Sequence, residues 1–167
     1  MSYVSNVVNI TQCINKDLVD LGVTKPLSRE HVVQEKNNPY DELITNGMLR
    51  KKTEKLFNDG HHARAVEEAY KLLDNIVQKR AGLQNSGAAL MQKAFSPNAP
   101  ILKLNECISA SEKDEQSGYM QIFAGCMTGI RNPRAHDTDW EDTEQRALQL
   151  LVFANHLIER VNLFEKA

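Results

Sequence analysis

Cysteine is scarce in this sequence, and long hydrophobic runs are missing. The three cysteines, Cys13, Cys107 and Cys126, lie far apart and form no CxxC pair, which argues against both a disulfide framework and a zinc site. We therefore expect buried thiols in a reducing cytoplasm, and no metal or other cofactor. No apolar stretch approaches the ~18 residues that cross a bilayer, and the N-terminus lacks a signal-peptide pattern, so we expect a cytoplasmic protein with no membrane partner.

An excess of positive charge is also missing. The chain has 20 Lys and Arg against 22 Asp and Glu, a formal net charge of −2. Any nucleic acid would therefore have to meet a local basic patch. One candidate patch is the basic middle of a helix expected at 40–58, where Arg50, Lys51, Lys52 and Lys55 stand close together. These side chains form either a solvated helix face or a surface that contacts phosphates.

The spacing of apolar residues predicts an all-α fold. Apolar residues recur every three to four positions, and no segment shows the period-two alternation of a strand of normal length. We expect a bundle of four or five main helices at 40–167, preceded by an N-terminal extension at 1–39 with a short amphipathic helix at 7–21. The extension packs either on a partner subunit or on its own domain. The clearest helix runs over 61–81 and ends at Gly82.

Two further helices flank a proline in the second half of the chain. The first helix carries Gly118, Gly125 and Gly129, which predicts close approach of another helix, from the same chain or from a second subunit. This helix should break before Pro133, because the residue before a proline is disfavoured in helical geometry. The last helix is expected at about 139–165, with Thr138 and Glu141 at capping-box spacing.

Arg131, Asn132 and His136 lie where the first of these helices runs into the proline turn, in the stretch GYMQIFAGCMTGIRNPRAH at 118–136. Metal-free RNA cleavage needs a base for the 2′-hydroxyl, a cation for the phosphate and a group that orients the substrate. Histidine, arginine and asparagine can supply these three services. We also expect His136 at the positive N-terminal edge of the last helix, where phosphate is attracted. On spacing alone, the favoured interpretation is structural, with Arg131 as a helix-end cation and His136 as a capping or core residue.

Longer stretches extend the pattern beyond that short motif. The motif resembles the R-x(4–6)-H motif of HEPN-superfamily ribonucleases, in R-N-x3-H form. The segments LFNDGHHARAVEEAYKLLDN at 56–75 and GAALMQKAFSPNAPILKL at 87–104 look like conserved blocks of a prokaryotic HEPN branch labelled Ymh. The similarity runs from about Tyr40 to the C-terminus and leaves 1–39 outside.

The resemblance implies a helical homodimer whose two motifs face each other across a cleft. His136 would act as general base or acid, Arg131 would bind phosphate, and Asn132 would orient the substrate or the histidine. Arg134 would add a phosphate contact. Such proteins are metal-independent endoribonucleases in toxin–antitoxin, abortive-infection or antiviral systems, which implies RNA as substrate and an antitoxin or regulatory protein as partner. An inactive HEPN-type module that binds RNA, a nucleotide or a protein is the alternative, and a purely helical interaction scaffold is a third hypothesis.

Overall fold

The computed structural model describes residues 38–163, the backbone of Glu165 and Lys166, and the single positions Asp20 and Gly22. The chain separates into two units, Met1–Asn37 and Asn38–Ala167. The second unit is a bundle of helices, which confirms the predicted all-α class. The helix predicted at 7–21 lies outside the described residues, and the domain boundary between 39 and 40 stays a prediction.

The described elements follow one another in a simple order. They are α1 (Pro39–Leu43), α2 (Gly47–Asn58), α3 (His62–Ala81), α4 (Gly87–Ala94), β1 (Leu102–Lys103), α5 (Ala110–Cys126), a π-helical turn (Met127–Arg131), α6 (Asn132–His136), α7 (Glu144–Leu163) and β2 (Glu165–Lys166). The two short strands pair in antiparallel fashion, with Leu102 opposite Lys166.

Helix α3 is the centre of the bundle. It packs against α2, α4, α6, α7 and the π-helical turn, and the main apolar core lies around it. The predicted helix is confirmed, and Gly82 ends it in the left-handed region at φ 68°, where glycine is the favoured residue. Fully buried large side chains of this core include Tyr40, Tyr70, Leu73, Leu90, Phe95, Phe123 and Met127.

The single helix predicted at 40–58 is wrong, because the chain leaves helical geometry between Leu43 and Gly47. The amides of Thr45 and Asn46 donate to Oδ1 of Asn155 on α7, at 3.1 and 2.9 Å. The side chain of Asn46 then accepts from the amides of Met48 and Leu49 and caps α2. A distant asparagine therefore satisfies the backbone groups that a continuous helix would have used internally.

Gln116 joins α5 to the non-helical segment between α4 and α5. Its buried amide nitrogen donates to the carbonyls of Phe95 and Leu102, at 3.1 and 3.0 Å. Its Oε1 accepts from the amide of Leu104 at 2.9 Å. One side chain thus satisfies three backbone groups of a segment that forms no helix.

The cysteines differ in their surroundings. Cys126 is buried as expected, and burial raises the pKa of its thiol to about 11. Cys107 is partly exposed, so the expectation of burial is wrong for this residue. Cys13 lies outside the described residues. Within the described residues, no helix has the length and apolar character that crossing a bilayer requires.

Candidate functional site

The R-N-x3-H motif lies on a helix that continues through Pro133. The predicted break before this proline is wrong: Asn132 has helical φ −61° and ψ −43°, and α5, the π-helical turn and α6 follow one another without a gap. The amide of Asn132 bonds to the carbonyl of Met127, five residues back. Pro133 falls in the first turn of α6, where its missing amide hydrogen costs least. A π-helical turn of this kind is often found at functional sites.

His136 is the last residue of α6, and its side chain is exposed. The prediction that it lies at the start of the last helix is wrong, because α7 begins at Glu144. The capping box predicted from Thr138 and Glu141 is also wrong, since Thr143 Oγ1 accepts from the amide of Arg146 at 3.3 Å. His136 therefore lies at the C-terminal end of a helix, which carries partial negative charge, and not at the positive N-terminal end that was predicted.

Arg131 and Asn132 lie in contact. Nη1 of Arg131 donates to Oδ1 of Asn132 across a long 3.4 Å, and Nε of Arg131 is buried with no hydrogen-bond partner. Buried donors in folded proteins are nearly always paired, so an unpaired one calls for an explanation. The guanidinium of Arg131 consequently has donor capacity that the described part of the chain does not use.

Within one chain, the structure does not bring Arg131 to His136. In the described residues, the side chain of Arg131 contacts Asn132, and the side chain of His136 takes part in no hydrogen bond or ion pair. Asn132 and His136 are four residues apart and share a face of α6, whereas Arg131 and His136 are five apart and do not. The three predicted catalytic residues thus lie at the junction of the π-helical turn, which ends at Arg131, and α6, which carries Asn132 and His136, without forming a single hydrogen-bonded group.

Arg134, predicted to contact phosphate, is turned into the protein. Its Nε and Nη2 donate to Oδ2 and Oδ1 of Asp142 at 2.6 and 2.7 Å, and its Nη1 donates to the carbonyl of Ile130 at 2.7 Å. The side chains of Arg134 and Asp142 are 1% and 0% exposed. A fully paired and buried guanidinium does not fit a phosphate contact, so this geometry corrects the prediction for Arg134.

Three of the four basic residues of α2 are exposed, as either interpretation of them requires, while Arg50 is partly buried and pairs with Asp41 and Glu54. Lys51 and Lys52 point to solvent, and Nζ of Lys55 pairs with Asp59 at 2.6 Å. Helix α2 packs against α3 and α7, while α6 packs against α3. Their predicted role in RNA binding stays a prediction.

A cleft of about 630 Å³ opens between the start of α3 and the segment after α6. Sequence reasoning did not anticipate it, because its walls come from residues far apart in the chain. Its lining residues are Gly60 to Arg64, Glu67, Arg134, Ala135, Asp137, Thr138, Trp140, Glu141 and Asp142. Arg131 and His136 do not line it. Along 38–163, no group of three or more His, Cys, Asp or Glu side chains has the arrangement of a metal site.

Glu67 in this cleft is buried, with 5% exposure. Its carboxylate pairs with Arg64 at 2.6 Å and with Lys71 at 2.7 Å. Burial by itself raises the pKa of Glu67, but the hydrogen bond from Lys71 and the charges of Arg64 and Lys71 outweigh burial and lower the pKa below its usual value.

Comparison with known proteins identifies one family. A family model described as "Protein of unknown function (Hypoth_ymh)" matches residues 45–161, a span that includes the motif, the cleft and most of the core. No curated protein and no solved structure matches the chain. The match confirms the resemblance to the Ymh group, and the wider assignment to the HEPN superfamily stays a prediction. The chain belongs to the Hypoth_ymh family.

Proposed function

We propose that this protein is a metal-independent endoribonuclease of HEPN type, acting in a toxin–antitoxin, abortive-infection or antiphage role. The observation that supports it best is Nε of Arg131, which has no hydrogen-bond partner among the described residues, at the end of the π-helical turn that leads into the helix with Asn132 and an exposed histidine. An arginine with spare donors is suited to the paired oxygens of a phosphate, because its planar fork binds two of them at once.

In the proposed reaction, His136 removes the proton of an RNA 2′-hydroxyl. The freed oxygen attacks the adjacent phosphorus, the bond from phosphorus to the 5′-oxygen breaks, and the leaving oxygen takes a proton. The products are a 2′,3′-cyclic phosphate and a 5′-hydroxyl. Arg131 stabilises the negative charge on the phosphate oxygens, and Asn132 orients the substrate.

A homodimer is part of the proposal, because one chain does not place Arg131 against His136. The helix that leads into the motif offers a surface for a second copy. Beyond the chain neighbours and the helix's own backbone, no described atom lies within 4 Å of a Cβ built at Gly118, Gly125 or Gly129, so close packing of another element in the described unit does not explain these glycines. The exposed Ile122 on α5 adds apolar area to the same helix.

A second candidate function is an inactive HEPN-type module that binds RNA, a nucleotide or a partner protein. The observation in its favour is that, within 38–163, no carboxylate or carbonyl holds the ring of His136. Catalytic bases are usually oriented by a third group. In the dimeric enzyme, a second copy or the RNA itself would have to supply this contact.

RNA cleavage in the presence of EDTA tests the proposal. We expect the wild type to cleave and to leave cyclic-phosphate ends, and we expect His136→Ala and Arg131→Ala each to abolish cleavage while circular dichroism keeps its helical signal. Arg131→Lys keeps the charge and loses the fork, so partial activity is expected. His61→Ala is the matched control, because its ring lies outside the motif.

Cleavage that survives both alanine substitutions would disprove this assignment. Absence of cleavage by the wild type, together with RNA or nucleotide binding that Arg131→Ala weakens, would favour the binding module. Sedimentation of the same samples reports whether the protein is dimeric.

A further inference from the structure

Arg134 lies between Arg131 and His136 in the sequence, yet its side chain points away from solvent. The guanidinium makes three short hydrogen bonds, two to Asp142 and one to the carbonyl of Ile130. Lysine could not reproduce this arrangement, because its ammonium is a point charge without a planar fork. The pattern therefore requires arginine at this position for geometric reasons.

These bonds connect three parts of the motif region. Ile130 belongs to the π-helical turn and directly precedes Arg131. Arg134 itself belongs to α6, two residues before His136. Asp142 lies in the segment between α6 and α7. One buried side chain thus joins the turn that carries Arg131, the helix that carries His136 and the segment that follows.

Trp140 completes the cluster from the loop side. The guanidinium of Arg134 lies 5.4 Å from the centre of the Trp140 ring, and that of Arg146 lies 5.7 Å from it. Arg146 also pairs with Asp142 at 3.4 Å. Cations at these distances are attracted to the indole ring, which further limits the movement of the segment that carries Asp142.

A buried ion pair is weak evidence for stability, because desolvation offsets much of the attraction between the charges. A positional role accounts better for a buried pair placed inside the motif. We propose that Arg134 and Asp142 are positioning residues: they hold Arg131 and His136 at fixed places and do not touch RNA. This proposal rests on the proposed ribonuclease function.

Steady-state kinetics on the full chain tests this role with Asp142→Asn and Arg134→Lys. Each should lower kcat about 100-fold, the loss that a misplacement of about 1 Å can cause. KM should change by less than about 3-fold, because the groups that bind RNA remain. The matched control is Asp74→Asn, which alters a buried carboxylate that accepts from the amide of Gly87 at 2.7 Å and lies outside the motif.

Hydrogen exchange provides a readout that does not depend on cleavage. In Asp142→Asn, the amides at 131–136 should exchange at least 10-fold faster, while those in the middle of α3 stay unchanged. Wild-type kcat and unchanged exchange in a folded Asp142→Asn protein would overturn the positioning role. A rise in KM with unchanged kcat would overturn it too, because that result would assign the pair to RNA binding. If the wild type does not cleave RNA, the proposed function fails. Unchanged hydrogen exchange in Asp142→Asn would then separately reject the positioning role of Arg134 and Asp142.

Discussion

The buried Arg134–Asp142 pair leads to a stability prediction that can be worked out from the structure. Asp142→Leu removes the acceptor of two hydrogen bonds and leaves a guanidinium that is 1% exposed without its counter-ion. Breaking a buried pair from one side costs about 3–5 kcal/mol, because the remaining charge stays desolvated. For a chain of this size, such a loss lowers Tm by about 6–20 °C.

Two further variants distinguish the cost of an unpaired buried charge from the cost of losing an ion pair. Arg134→Met combined with Asp142→Leu removes both charges, so the double variant should be more stable than Asp142→Leu alone. Asp41→Asn is the control, because it breaks the Arg50–Asp41 pair, whose side chains are 34% and 46% exposed. Loss of such an exposed pair should cost no more than about 1 kcal/mol.

Urea unfolding is the appropriate assay, because the cluster contains its own fluorescent probe. Trp140 is the only tryptophan of the sequence, and it lies against Arg134, so its fluorescence follows the cluster while circular dichroism follows the helices. The reasoning would be refuted if Asp142→Leu cost less than about 1 kcal/mol, or if the double variant were less stable than the single one.

Three other predictions concern separate parts of the molecule. Gln116→Leu removes three hydrogen bonds to backbone groups and should cost about 2–4 kcal/mol in urea unfolding. The exposed Gln121→Leu should change stability by less than about 0.5 kcal/mol. The folded-state pKa of Glu67 is lowered, so its stabilising contribution is present above its unfolded pKa and is lost as pH falls through its folded pKa. Glu67→Gln should therefore lose less stability than the wild type below about pH 5, measured by urea unfolding at a series of pH values. Parallel curves of stability against pH for the two proteins would contradict this. A Cβ built at Gly125 points into open space among the described residues, so Gly125→Arg should stay folded but be monomeric in sedimentation, while Gly125→Ala stays dimeric. Two dimers would place the interface elsewhere.

The helices themselves were largely predictable from the sequence. The α3 helix and its end at Gly82 follow from local signals, namely an apolar stripe and a residue that tolerates positive φ. The match to the Hypoth_ymh family covers the three segments on which the resemblance to Ymh proteins was based. Errors arose where a local signal competed with a distant contact or an unusual turn, as between α1 and α2 and at Pro133.

The sequence by itself determined the fold class, the main helices and the chemical identity of the motif, because helical periodicity and residue type are local properties. Tertiary structure alone decided which motif side chains are available. Arg134 and Arg131 are both arginines three positions apart, yet Arg134 pairs with Asp142 and is buried, whereas Nε of Arg131 has no hydrogen-bond partner in the described part of the chain. No local pattern distinguishes them, because the difference comes from a carboxylate that only folding brings to one of the two.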